Sequence, residues 1–142
     1  MPRPLVVLDT NVWISGLLWT GKPHEILRAA ESGRLTLVVS PAIVEEVAKA
    51  LGRPKFADRL ATLRTSVREL VESMLSLAEV SSPRRVVPVV TADPEDDKIL
   101  ACARAARVQW LVSGDGHLLA VGHYYGIQIV DPRTFLTAWQ AK

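Results

Sequence analysis

Acidic residues follow apolar segments at four places along this chain, in a pattern that could hold a metal ion. Asp9 comes directly after the first apolar run. Glu46 lies about one turn into the helical segment after the second run, and Asp115 comes just past the fourth. A pair of acids, Asp96 and Asp97, opens the helical segment after the third. Ligands of parallel sheets bind beyond the carboxyl ends of the strands, so these side chains are expected to converge there.

Four converging carboxylates repel one another unless a cation lies between them. At a separation of about 4 Å and an effective dielectric constant near 20, each like pair costs roughly 4 kcal/mol before screening. Oxygen ligands without a cysteine cluster or a histidine pair favour Mg²⁺ or Mn²⁺ over Zn²⁺. Such an ion binds phosphate oxygens, lowers the pKa of a bound water and stabilises an in-line displacement. The acids therefore predict metal-assisted chemistry on a phosphate ester.

Each acid also has a structural interpretation, because acidic residues cap helices and form turns. Asp9 could be a turn or N-cap residue that opens the next helix. Asp93 is a natural N-cap with Pro94 at the first helical position and Asp96 three residues past the cap, where the helix dipole favours acids. The sequence Gly114-Asp115-Gly116 is typical of a turn. Four such acids at one sheet edge would be an improbable accident of capping.

The elements that position these acids alternate between apolar runs and helical segments. Strands are predicted at residues 5–8, 35–39, 86–90, 109–113 and 127–130, and the segments between them carry helix start signals such as Ser40-Pro41 and Asp131-Pro132. This alternation predicts an α/β fold in which a parallel sheet has helices on both faces. On a helical wheel Glu46 flanks the buried stripe and can reach the sheet edge, whereas Glu45 points nearly opposite.

Composition is that of an ordinary globular protein. With 142 residues, 49% apolar and 23% charged, the chain is most naturally a single domain over residues 1–142. The single cysteine, Cys102, excludes an internal disulfide and a cysteine zinc cluster, and its apolar neighbours favour a core position. We find no signal-peptide core and no membrane span, so we expect a cytoplasmic protein without a membrane partner. His117 and His123 are expected to be surface residues.

The middle of the chain, residues 53–79, has helical periodicity and concentrates positive charge. Its basic residues are Arg53, Lys55, Arg59, Arg64 and Arg68. One interpretation is the solvated face of an amphipathic helical pair. The other is a surface that holds a nucleic-acid backbone beside the cations.

Four motifs, taken together, resemble those of the PIN-domain family. They are LDTNVWISGLLW, SPAIVEEVAKAL, DPEDDKILACA and LVSGDGHLL, and in this order and spacing they cover nearly the whole chain. The resemblance implies a five-stranded parallel sheet with strand order 3-2-1-4-5. It also implies Mg²⁺- or Mn²⁺-dependent cleavage of single-stranded RNA and frequent homodimers. Many bacterial and archaeal members of this size are toxins of toxin–antitoxin pairs, which implies an antitoxin protein as a partner.

The resemblance assigns the functional residues as follows. The catalytic and metal-binding acids are Asp9, Glu46, Asp97 and Asp115, and the supporting polar residues are Asn11 and Ser113, which orient the first and last acids. Family spacing to Asp115 favours Asp97 as the third acid. The helical wheel instead places Asp96 closer to the buried stripe. Asp97 is therefore the prediction and Asp96 the alternate. The resemblance assigns no role to His117.

Three other functions compete with a nuclease. A phosphatase of the haloacid dehalogenase kind needs a second aspartate two residues after the first, and that position is Asn11. A phosphorylated receiver domain needs an aspartate at the end of strand three and a lysine at the end of strand five, where this chain has Val90-Thr91 and Val130-Asp131. A catalytically inactive module that binds RNA or a protein would not need the intact acids.

Overall fold

The computed structural model describes residues 3–81 and 94–140. A six-stranded sheet lies at its centre. The strands are β1 (Leu5–Leu8), β2 (Thr36–Val39), β3 (Ala78–Val80), β4 (Trp110–Val112), β5 (His123–Tyr124) and β6 (Ile127–Val130). Their order across the sheet is β3-β2-β1-β4-β6-β5. Each pairing is parallel except β5 with β6, which is antiparallel.

Eight α-helices connect and cover these strands in the described ranges. They are α1 (Thr10–Leu18), α2 (Lys22–Glu31), α3 (Pro41–Leu51), α4 (Ala57–Thr62), α5 (Val67–Leu77), α6 (Pro94–Ala105), α7 (Gly116–Val121) and α8 (Pro132–Gln140), with a 3₁₀ turn at Pro54–Phe56. Helix α6 packs against β1 and β2, and α8 packs against β4 and α2. None of the helices described has the length and apolar character that a bilayer crossing requires.

The sheet centre is apolar because β1, β2 and β4 are covered from both sides. Val6, Val7 and Leu8 of β1 are fully buried, as are Leu111 and Val112 of β4. Strands buried on both faces need continuous rather than alternating apolar residues, which is the pattern that predicted them. The packing therefore fixes the ends of β1 and β4, and with them the positions of the residues that follow.

Local capping sets where three helices begin. The Oδ1 atom of Asp9 accepts a hydrogen bond from the Val12 N–H at 2.9 Å, and Ser40 Oγ accepts one from the Ile43 N–H at 3.2 Å. Asp131 Oδ1 accepts from the Thr134 N–H at 2.7 Å. These side chains satisfy backbone donors that the first helical turn leaves unpaired. The helix starts predicted at Ser40-Pro41 and Asp131-Pro132 are confirmed.

The predicted α/β class is confirmed, and two details of the sheet differ. There are six strands rather than five, because residues 123–124 form a short antiparallel strand beside β6. The parallel strands keep the predicted 3-2-1-4-5 order, but the third is Ala78–Val80, within a segment predicted as helical. The strand predicted at residues 86–90 and the cap predicted at Asp93 lie outside the described residues.

Candidate active site

A small cavity lies at the carboxyl edge of the parallel strands and contains most of the predicted acids. Its volume is about 180 Å³. It is lined by Asp9, Thr10, Asn11, Glu46, Ala50, Arg53, Asp96, Ile99 and Asp115. The four acids in this set come from four different parts of the fold: Asp9 and Asp115 follow β1 and β4, and Glu46 and Asp96 lie in α3 and α6. The structure therefore brings together residues that are far apart in the sequence.

Asp9 lines the cavity and is held there by two hydrogen bonds. It ends β1 and caps α1, so one carboxylate oxygen accepts the Val12 N–H, while the other accepts a hydrogen bond from Ser113 Oγ. The side chain is buried. Burial raises the pKa of Asp9, the hydrogen bonds oppose this shift, and the nearby charge of Asp115 adds to it. A bound cation would offset the free-energy cost of keeping this buried carboxylate ionised.

Ser113 links the first and last acids. It directly follows β4 and is fully buried. Its hydroxyl donates to Asp9, and the same oxygen accepts the Asp115 N–H at 2.9 Å. Asp115 in turn caps α7 by accepting the His117 N–H at 2.7 Å. One buried serine therefore orients the carboxylate of Asp9 and the backbone that carries Asp115.

Glu46 reaches the cavity from the second turn of α3. Its position beside the buried residues Ile43, Val47 and Ala50 directs it toward the sheet edge, as the helical wheel predicted. Its Oε1 atom lies 3.8 Å from Lys98 Nζ of α6. This ion pair joins two helices that enter the site from different strands.

Asp96, and not Asp97, is the acid of α6 that lines the cavity. Asp96 is only 6% exposed, and the buried residues Ile99 and Leu100 follow it at helical spacing on the same side of α6. Consecutive residues of an α-helix are rotated by about 100°, so the two neighbouring acids cannot point the same way. Asp97 stays a prediction for the third acid, and the cavity favours its alternate, because α6 turns its apolar stripe, and Asp96 with it, toward the sheet.

His117, which the sequence analysis expected to be a surface residue, is exposed and also lies beside two of these acids. One ligand atom each from Asp96, Asp115 and His117 lie within 4.8 Å of one another. The imidazole is 80% exposed, and its Nδ1 atom lies 3.6 Å from Asp115 Oδ1. The only sequence signal was its spacing of two residues from Asp115, which places it in the first turn of α7.

Of the five basic residues in the arginine-rich segment, Arg53 is the one that lines the cavity. Arg59 Nε donates to the Leu18 carbonyl at 2.7 Å, and Arg68 pairs with Glu72 at 3.2 Å. Lys55 lies over the ring of Phe56. These contacts support the interpretation of a solvated helical surface for most of the segment. Arg53 is the member of this segment that lies beside the acids.

The donor set fits a divalent cation. Carboxylate oxygens dominate the lining, Asn11 adds an exposed amide, and His117 adds one nitrogen at the rim. Mostly oxygen donors suit Mg²⁺ or Mn²⁺, and the close approach of Asp96 and Asp115 is the arrangement that a cation stabilises. Cys102 cannot contribute, because it is fully buried and burial raises the pKa of its thiol to about 11.

Comparison with known proteins agrees with this geometry. A family model described as a PIN domain matches residues 5–117. The fold is similar to that of a chain in the crystal structure of VapBC2 from Rickettsia felis bound to a DNA fragment from their promoter, with 12% sequence identity and a TM-score of 0.60. That alignment covers 88% of this chain and 96% of the other. Comparison with curated proteins gives no significant match. The family model spans most of the sequence, and this chain therefore belongs to the PIN-domain family, whose members are generally nucleases.

Proposed function

We propose that this protein is a metal-dependent endoribonuclease that cleaves single-stranded RNA. The observation that carries the proposal is the convergence of Asp9, Glu46, Asp96 and Asp115 in one small cavity. Membership of the PIN-domain family supports it. A phosphatase of the haloacid dehalogenase kind is not favoured, because Asn11 lines the cavity where that chemistry needs a second aspartate.

The four acids would hold the divalent cation, Mg²⁺ or Mn²⁺. When bound, such an ion supplies positive charge to a phosphate and makes a bound water more acidic. Ser113 keeps Asp9 in place through a buried hydrogen bond, and Asn11 offers an amide at the rim. In this proposal Asp96 takes the role that the sequence assigned to Asp97, because Asp96 lines the cavity.

In this proposal Arg53 contacts the substrate. Its side chain is exposed at the rim of the cavity, on the residue that follows the C-cap of α3. A guanidinium group binds phosphate oxygens in a bidentate manner, and this contact fixes position without reading the base. We expect the RNA backbone to pass over this rim, with the scissile phosphate at the acids.

The biological role proposed here is that of a toxin in a toxin–antitoxin pair. The resemblance of four motifs to PIN-domain toxins supports it, as does the similarity of the fold to a chain of VapBC2. This role implies an antitoxin protein that binds and inhibits the enzyme, a homodimer as the working assembly, and action in the cytoplasm.

Cleavage of a mixed pool of single-stranded RNA tests the proposed activity. The wild-type protein should cut the pool with Mg²⁺ or Mn²⁺ and should not cut it in EDTA. Asp9→Asn should be inactive, whereas the matched variant Asp97→Asn should keep most of the activity because Asp97 does not line the cavity. Equal cleavage by wild type and Asp9→Asn would reveal a contaminating nuclease and contradict the proposal.

A second experiment tests the proposed role. Induced expression of the wild-type protein in bacteria should arrest growth, and Asp9→Asn should not. Co-expression of the product of the neighbouring reading frame should restore growth. Normal growth of cells with abundant, RNA-cleaving wild-type protein would contradict the toxin assignment while leaving the nuclease assignment intact.

A further inference from the structure

A second polar surface lies at the opposite edge of the sheet, where the strands begin. It consists of two adjoining cavities of about 730 Å³ and 470 Å³, which share Gln109 and Gly126 among their lining residues. We call it the basic groove and define it by Arg3, Arg34, Arg104, Arg107, Tyr125 and Trp139. It follows the starts of β2, β1, β4 and β6, so it spans about 14 Å at the usual strand spacing.

The groove concentrates positive charge in a chain that is nearly neutral. The whole sequence has 17 basic and 15 acidic residues. Yet the described residues that line the two cavities include four arginines and no acid. Within the described ranges none of these arginines forms an ion pair with a carboxylate. The guanidinium groups are exposed and remain available to an anionic ligand.

Two of the arginines lie over aromatic rings. Arg34 Cζ is 4.7 Å from the centroid of the Trp139 ring, and Arg104 Cζ is 3.7 Å from that of Tyr125. Trp139 is also stacked on Phe135, with the centroids 5.7 Å apart and the rings nearly parallel. Paired rings and guanidinium planes are the surfaces on which unpaired bases stack, while arginine also binds phosphates.

The backbone of Tyr125 adopts a conformation that is unusual for a bulky residue. Tyr125 and Gly126 are the two loop residues between β5 and β6, and both have positive φ, 50° and 80°. A two-residue hairpin loop of this kind favours Asn-Gly, because a bulky residue is strained in the left-handed region. The tyrosine ring is nevertheless 69% exposed, so burial in the core does not account for its presence. Residues in sparsely populated backbone regions cluster at functional sites, including ligand-binding sites.

We propose that the basic groove binds single-stranded nucleic acid, with bases stacked on the outer guanidinium faces of Arg104 and Arg34, which lie on the rings of Tyr125 and Trp139, and with phosphates on the arginines. The unpaired state of the ligand follows from the stacking surfaces, since the bases of a duplex have no free faces along the helix. The groove lies at the edge of the sheet opposite the acidic cavity, so binding there does not require the divalent cation.

Fluorescence anisotropy of a short labelled RNA of mixed sequence, in EDTA to prevent cleavage, tests the proposal. The wild-type protein should bind it more tightly than the matching duplex. Tyr125→Asn, which suits the turn and should fold, should weaken binding by about 5-fold to 160-fold. Arg104→Ala should make the negative slope of log K against log salt shallower by about 0.7. Arg68→Ala, an exposed arginine on α5, is the matched control and should bind like the wild type.

The remaining arms identify the ligand. Single-stranded DNA of the same sequence should bind with a similar dependence on Tyr125, because stacking and phosphate contacts do not need the 2′-hydroxyl. Polyglutamate should bind weakly. The proposal is overturned if Tyr125→Asn binds RNA like the wild type, if the duplex binds more tightly, or if polyglutamate binds equally well. None of these results bears on metal-dependent cleavage, which the Asp9→Asn experiment tests separately.

Discussion

Replacing Asp96 with asparagine should abolish the stabilisation of the fold by Mn²⁺, whereas the same change at Asp97 should preserve it. The two residues are neighbours in the first turns of α6 and lose the same charge in the two variants. Asp96 lines the acidic cavity and belongs to the cluster with Asp115 and His117, and Asp97 does neither. A difference between the variants therefore reports on position in the site and not on net charge.

Two quantities bear on the size of the Mn²⁺ effect: the charge repulsion that the ion relieves and the free energy of unfolding that its binding adds. Ligand atoms of Asp96 and Asp115 lie within 4.8 Å, which at an effective dielectric constant of 20 gives a repulsion of about 3.5 kcal/mol before screening. The Asp115 side chain is 32% exposed, so solvent reduces this value. A cation at one hundred times its dissociation constant adds about 2.7 kcal/mol to the free energy of unfolding. For a chain of 142 residues this corresponds to a rise in Tm of about 9 °C.

Differential scanning calorimetry measures this rise directly. Wild type, Asp96→Asn and Asp97→Asn would be melted in EDTA and in increasing Mn²⁺. The wild type and Asp97→Asn should show the full increase in Tm, and Asp96→Asn should show little. Equal increases in the two variants, or a loss confined to Asp97→Asn, would refute the assignment of Asp96.

Three further predictions concern single side chains. Asp9→Asn should have a higher Tm than the wild type without metal, since the amide oxygen can still accept the Val12 N–H and the buried charge is gone. Because burial raises the pKa of Asp9, the wild-type carboxyl stabilises the fold below its ordinary pKa and loses this contribution as pH rises, so the Tm difference should grow from about pH 4 to pH 7. A lower Tm of Asp9→Asn at neutral pH would contradict this prediction. In calorimetric titrations His117→Asn should weaken the binding of Mn²⁺ more than the binding of Mg²⁺, because an imidazole nitrogen is a poor ligand for Mg²⁺. Equal weakening of the two affinities would exclude a contact between His117 and the ion. Asp131→Ala should reduce the free energy of urea unfolding by about 1 kcal/mol at neutral pH, since the cap of α8 is lost. The hydrogen bond from the Thr134 N–H lowers the pKa of Asp131, so this destabilisation should fade as pH falls through the lowered pKa. A destabilisation that does not depend on pH would argue against a charged cap.

Much of the fold could be predicted because local and tertiary preferences agree. The continuous apolar run of β1 is needed for a strand with both faces covered, and Ser40 caps α3 with the hydrogen bond that its side chain favours. Asp9 shows that the structural and functional interpretations are not exclusive. One of its oxygens caps α1, and the same carboxylate lines the acidic cavity.

The remaining details depend on contacts that a sequence pattern does not carry. Strand β3 has three residues, two of them exposed, so it has no apolar run to distinguish it from the end of α5. Asp96 and Asp97 have the same chemistry, and only the packing of α6 on β1 and β2 decides which one enters the cavity. His117 joins the acids because Ser113 and the cap of α7 fix the loop, an arrangement of three elements that spacing alone does not reveal.

Crystallography of the protein soaked in Mn²⁺, with data collected near the manganese absorption edge, tests the central claim most directly. The claim is that carboxylates from separate strand–helix connections share one cation. An anomalous peak in the acidic cavity, within bonding distance of Asp9, Asp96 or Asp115, is the result we predict. A cavity without a peak at saturating Mn²⁺, or a peak held by Asp97 outside the cavity, would contradict the claim.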